Sequence, residues 1–195
     1  MAIEQVLYKD YLISIDNDYE PLDPRQWDNF GTMVCFHNKY RLGDTHTIDS
    51  PDYSSWSEVR DYIEADLGGM VILPLYLYDH SGISMRVGGF RGLAQHADWD
   101  SGQVGFIYCT DGDMVAEGIT DLAQAEALLR GEVEAYDRYL TGQVYTYRIE
   151  KSSTCDSCHH TSADFVDSCS GWDSVDDAMK EAMQVVDYQA SRVSA

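Results

Sequence analysis

Hydrophobic residues recur along this chain with two periods, and each period marks a different element. Tyr11, Ile13 and Ile15 alternate with Leu12, Ser14 and Asp16, the two-residue period of a strand. In Thr32–His37, Met33, Cys35 and His37 share one face and Val34 and Phe36 the other, as in a strand covered on both sides. Two apolar runs, Val71–Tyr78 and Val104–Tyr108, read as buried central strands. Pro74 removes a ladder donor from the first and implies an edge-like section or a bulge; Gly105 in the second implies a bulge or a close backbone approach. Asp79–Gly82 makes a tight reversal into Ile83–Val87, a hairpin, and Gly88–Gly92 is a flexible connector. Gln143–Lys151 alternates as a half-exposed strand, and a short strand is expected over Asp164–Cys169.

A period of 3.6 appears in three places. Ser55-Trp56-Ser57-Glu58 is a capping box opening a helix with Trp56, Val59, Ile63 and Leu67 on one face, ended by Gly68-Gly69. The longest helix is expected over Thr120–Leu140, with Leu122, Ala125, Leu129, Val133, Tyr136 and Leu140 as its buried stripe. Gly131 in its middle costs about 1 kcal/mol relative to Ala and suggests a kink or close packing. A last helix starts near Asp173, with Val175, Ala178, Met179, Ala182, Met183 and Val186 inward. The order ββα, βββ, α, ββ, α lacks single alternation of strand and helix and lacks a Gly-rich phosphate loop. It predicts an α+β fold: one domain over residues 1–195, an antiparallel or mixed sheet with about three helices on it, and Ser152–Ala163 as a polar insertion.

Charge changes the functional picture. The 195 residues hold 34 acidic and 13 basic side chains, a formal charge of −21. That balance argues against direct nucleic-acid binding or an anionic membrane surface, both of which need excess Lys and Arg. It favours a basic partner, or imitation of a polyanion. An accessory or virion protein whose acidity reflects a salt-adapted host is the bland alternative. Met1–Asp10 has no apolar core of signal length, and Met70–Tyr78 is too short to span a bilayer, so a cytoplasmic location with reduced thiols is expected.

Three groups of side chains offer chemistry. Cys155, Cys158 and His159, with Cys169 further on, have half the spacing pattern of a zinc site, where a second pair must close the tetrahedron; no cofactor is the expectation and zinc the minor alternative. His80, Asp100, Ser101 and Cys169 include a base, an orienting carboxylate and two nucleophiles, the set for a small enzyme or ligand binder if they converge. No nucleophile elbow accompanies them, so structural roles are favoured. Acids also dot two helices: Asp121, Glu126, Glu132, Glu134 and Asp137 on the long one, Asp173, Asp176, Asp177 and Glu181 on the last. They form the expected partner-binding face. Glu126/Arg130 and Glu134/Arg138, four apart, could instead pair internally, and acids near Asp173 suit a helix N-terminus.

Several strings resemble an uncharacterised family of phages and mobile elements. They are Asp28–His37 with Leu42-Gly43-Asp44, Leu73–Gly82, Trp99–Tyr108, Glu132–Val144 and Asp167-Ser168-Cys169. Their polar residues form a motif cluster: Asp79, His80, Ser81, Trp99, Asp100, Ser101, Gln103 and Asp167. Ser170-Gly171-Trp172-Asp173, the connector at Gly88–Asp98 and the Cys155–His160 insertion depart from the family pattern. The resemblance implies a phage or mobile-element origin and no particular activity. With the charge, it leads to the expectation of a non-enzymatic protein that binds and inhibits a host nucleic-acid-handling defence protein, in the manner of a DNA mimic.

Overall fold

A computed structural model describes residues 2–48, 52–154 and 161–193. The chain is α+β, with every strand pair antiparallel. It divides into two compact units, Asp23–Thr141 and a second made of the residues up to Leu22 with those from Gly142 on. Each has its own sheet and core.

The second unit pairs β1 (Glu4–Tyr8), β2 (Tyr11–Asn17), β7 (Tyr145–Thr154) and β8 (Thr161–Trp172) in the order β1-β2-β7-β8. Helix α5 (Val175–Val193) lies on the face where Ile13, Ile15, Tyr147 and Ile149 point, and buries Ala178, Met179, Ala182 and Val186. That is the stripe the helical period marks. Tyr8 and Lys9 both reach Asp187 of α5, at 2.9 and 2.8 Å. The strands run into the segment expected as an insertion from both sides, to a Thr154–Thr161 pairing. Of that segment, 155–160 lie outside the described residues. Strand β1 has no counterpart among the expected elements. As an outer strand with a largely exposed pattern, it lacks the alternation that marks β2.

In the unit Asp23–Thr141, a short 3-10 turn (Pro24–Gln26) precedes β3 (Thr32–Cys35), and the sheet order is β3-β6-β4-β5. Strand β4 is Gly69–Asp79, β5 Ile83–Val87 and β6 Ser101–Thr110. Both sheet faces are covered, as the two-sided apolar pattern of β3 requires. Helix α4 (Leu122–Thr141) packs Ala125, Leu129, Val133 and Tyr136 over Met33, Leu75, Leu77 and Ile107. Helix α1 (Trp56–Ala65) sets Val59 and Ile63 against Val34, Phe106 and Tyr108 on the other face. Ser55 caps α1, but the Glu58 carboxylate turns back to Ser54, one residue before the cap the sequence predicts. Two short helices, α2 (Ala97–Asp100) and α3 (Asp111–Ala116), flank β6.

The proline and glycine signals resolve into geometry. Strand β5 pairs with β4 only from Leu75 to Asp79, so Pro74 stands where the β5 side of β4 becomes an edge. Opposite it, the β4–β6 register slips between Leu75–Gly105 and Tyr76–Gln103, leaving Val104 as the bulged residue. A Cβ on Gly105 would lie 1.9 Å from the Val34 carbonyl oxygen, so β3 and β6 approach too closely there for any side chain. Gly131 has no such role: a Cβ would meet nothing within 4 Å. Leu122, expected in the α4 stripe, is half exposed at the first turn.

Candidate functional site

The β4–β6 pairing assembles the polar ends of two strands. Register places Tyr78 opposite Ser101, so the residues after Tyr78 and before Ser101 emerge side by side at one end of the sheet. His80 and Asp100 meet there, with Nδ1 donating to Oδ2 at 2.8 Å. The bond fixes the ring's orientation and leaves Nε2 as its open nitrogen, the arrangement by which a carboxylate orients a base. His80 stacks on Tyr78 with centroids 5.8 Å apart, and His96 lies 6.0 Å away. Ser81 and His96, neither a glycine, adopt φ of 62° and 55°, left-handed backbone at the hairpin turn and at the start of α2. Trp99, between Asp98 and Asp100 on α2, is 87% exposed.

Asp79, Trp99, Asp100, Ser101 and Gln103 line one polar cleft of about 920 Å³. Its far wall holds Phe36, His37, Asn38 and His46, with Trp56. Asp79 accepts from the Tyr40 hydroxyl at 3.1 Å and from Lys39 at 3.2 Å. His37 Nδ1 accepts from the backbone N–H of Lys39 and Tyr40, each at 3.2 Å, which places the neutral ring's proton on Nε2. The nitrogens of His46 face the carbonyls of Ile48 and Cys35 at 3.1 and 3.0 Å, tying the wall to the end of β3.

The nucleophiles are otherwise engaged. Ser101 donates its hydroxyl proton to the Ala97 carbonyl at 2.6 Å. Burial, reinforced by Asp44, pushes the Cys35 thiol up to about 12, so it carries almost no thiolate at neutral pH. Asp167 and Cys169 stand on β8 in the other unit, Cys169 exposed with its Sγ 3.6 Å from the Ser170 carbonyl. Cys155, Cys158 and His159 lie outside the described residues. Among the described ones, no three His, Cys, Asp or Glu side chains come together as metal ligands.

The acidic residues expected as a partner-binding face differ in what they bond to, and they divide between the two units. Glu132 turns inward: its Oε2 lies 2.9 Å from Arg25, and its Oε1 accepts from the Phe30 N–H at 2.6 Å. Asp137 accepts from the Met85 N–H at 2.7 Å, holding α4 to β5. Glu126 pairs with Arg130 at 2.7 Å, and Asp121 accepts from the Ala123 N–H at 3.0 Å near the start of α4. Glu134 is exposed, as are Asp173, Asp176 and Asp177 on the other unit, where Glu181 is half-buried.

One set of residues carries no sequence signal. Arg25, its side chain 3% exposed, donates to both Asp44 oxygens at 2.9 and 2.7 Å, to Glu132 at 2.9 Å and to the Gly31 carbonyl at 2.6 Å. Burial disfavours the guanidinium charge, but the two carboxylates outweigh it and raise the pKa. Asp44 in turn accepts from the Met33 N–H at 2.7 Å, and the Tyr136 hydroxyl from the Gly43 N–H at 3.0 Å. These bonds fix the loop that carries the His37 wall of the cleft. No spacing rule links positions 25, 44 and 132.

Comparison with family models, curated proteins and solved structures finds no match to the chain. Among the described residues, no helix is long and apolar enough to cross a membrane.

Proposed function

We propose that the chain is a non-enzymatic binding protein of a phage or mobile element. It engages the basic, nucleic-acid-binding surface of a host protein through charge, and so inhibits a host defence system. One observation carries this reading: the net charge of −21, with acidic residues outnumbering basic ones in each of the two units. At least six of the thirteen basic side chains pair with carboxylates of the chain itself. Lys9, Arg25, Lys39, Arg91, Arg130 and Arg148 each stand within 3.2 Å of a carboxylate. The excess of acidic over basic side chains gives a negative field that steers basic surfaces and repels nucleic acid.

The His80–Asp100 pair does not outweigh this. The neighbouring Ser101 hydroxyl is committed to a backbone carbonyl, and the Cys35 thiol is held protonated. The test is capture of host protein on the immobilised chain at low and high salt, with double-stranded DNA as competitor. The expected result is capture that falls steeply with salt and is displaced by DNA. Capture indifferent to salt, or untouched by DNA, overturns the proposal.

A further inference from the structure

We propose that the cleft at the end of the β4–β6 pair is the seat for an arginine side chain of the protein partner. This rests on the reading of the chain as a binder of basic proteins and names the contact that gives it specificity. Three features of the cleft converge on a guanidinium.

The first is Trp99. An indole 87% exposed has little to gain from the folded chain itself, and its face is the strongest cation–π acceptor among side chains. The second is a carboxylate next to it with spare capacity. Asp100 Oδ2 accepts the hydrogen bond from His80 Nδ1, while Oδ1 has no hydrogen bond among the described residues and the side chain is 31% exposed. Asp79 on the same cleft is a second carboxylate, 35% exposed and shared with Lys39 and the Tyr40 hydroxyl. The third is the donor on the opposite wall. His37, with Nδ1 filled by two backbone N–H groups, offers Nε2–H, the polarity that suits a carbonyl of the incoming backbone.

A flat, delocalised cation that stacks on an indole edge-bound to a carboxylate is a guanidinium, more than the compact, strongly hydrated ammonium of lysine. An anionic ligand would meet two carboxylates in a chain of net charge −21. The His80–Asp100 bond then has a positioning role: it holds Asp100 with Oδ1 open, so His80 supports the arginine contact without touching it. The left-handed residues Ser81 and His96 hold the two turns on either side in the conformation that presents this pair.

The test uses the full chain and a blocked arginine, N-acetyl-arginine methylamide, titrated while amide and indole N–H resonances are followed by NMR. The citrulline counterpart, neutral and of the same shape, and the lysine counterpart are run alongside. Saturable shifts at the Trp99 indole, Gly102 and Gln103, in the millimolar range, are expected for arginine. Lysine should bind more weakly and citrulline not at all. Trp99→Ala, at an exposed position, and Asp100→Asn should each weaken the arginine response about tenfold while the remaining spectrum is unchanged. Equal response to citrulline, shifts confined to other surfaces, or a full response from Trp99→Ala would overturn the proposal. The probe needs no partner, so this failure separates from that of the wider reading. Salt-sensitive, DNA-displaced capture without arginine binding sinks the cleft alone. Arginine binding with salt-indifferent capture sinks the electrostatic reading and leaves the cleft standing.

Discussion

Removing the Arg25 guanidinium should be among the costliest single changes to the unit Asp23–Thr141. Its side chain is 3% exposed, and its partners Asp44 and Glu132 are 21% and 17% exposed, so water can do little to replace it. Truncating one member of such a group strands charge where it is poorly solvated, a loss of about 3–5 kcal/mol. For a unit of this size that lowers the melting temperature by roughly 10–20 °C, at about 4 °C per kcal/mol. Arg25→Lys keeps the charge, but a single ammonium cannot reach two Asp44 oxygens, Glu132 and the Gly31 carbonyl together, so about 1–3 kcal/mol should still be lost. Combining Arg25→Met with Glu132→Gln should cost less than the two changes summed, because the second relieves a charge the first leaves exposed to low dielectric. Urea denaturation followed by tryptophan fluorescence gives each free energy, with Trp27, Trp56 and Trp99 reporting on this unit and Trp172 on the other. A cost for Arg25→Ala below about 1 kcal/mol, or strict additivity in the double variant, would refute the assignment of this network as the brace of the cleft wall.

Three further outcomes follow from single positions. Gly131→Ala should stabilise the protein by about 0.5–1 kcal/mol in the same urea assay, since the helical backbone accepts Ala and nothing lies within 4 Å of the added carbon. With Cys155 and Cys158 replaced by Ser, a chromogenic disulfide reagent should titrate one thiol in the native protein, Cys169, and three after unfolding, because Cys35 and Cys109 are buried and burial raises both thiols. Lys9 and Tyr8 lower the pKa of Asp187, whose stabilising contribution is therefore present at neutral pH and disappears as pH falls through its depressed folded value, below about pH 4. Lys9, raised chiefly by the same bond, contributes below its unfolded pKa and loses that contribution as pH rises through the folded one. Wild type and Asp187→Asn should therefore differ in thermal stability most at neutral pH and converge in acid; a difference unchanged at pH 3 would contradict the bond.

The polar cluster shows what a strand pattern can and cannot specify. Asp79-His80 and Trp99-Asp100-Ser101 stand out in sequence because each closes an apolar run at a turn. Their meeting depends on β4 and β6 pairing with Tyr78 opposite Ser101, and on a bulge at Val104 that shifts the register by one. A slip of one residue turns every side chain to the opposite face. Asp167 and Cys169 belong to the same set of family-like strings yet fall on β8 of the other unit. Resemblance along the chain grouped them; pairing in space does not depend on it. Glu132 and Asp137 show the same limit on a helix. Both sit on the flanks of the Leu129, Val133, Tyr136 stripe, where a carboxylate is outward or inward according to what the neighbouring loop or strand offers it.

What the sequence alone determined was local and averaged, and did not extend to β1 or the short helices α2 and α3: the longer helices and the strongly patterned strands, most of their buried faces, and how much negative charge the molecule carries. Periodicity and composition are sufficient for these because they depend on neighbours a few residues apart or on sums over the chain. Tertiary structure decided the partners. The Arg25 brace spans 107 residues, the His80–Asp100 pair 20, and each forms because packing of the apolar faces brings distant polar groups within hydrogen-bond reach after the helices and strands are already specified.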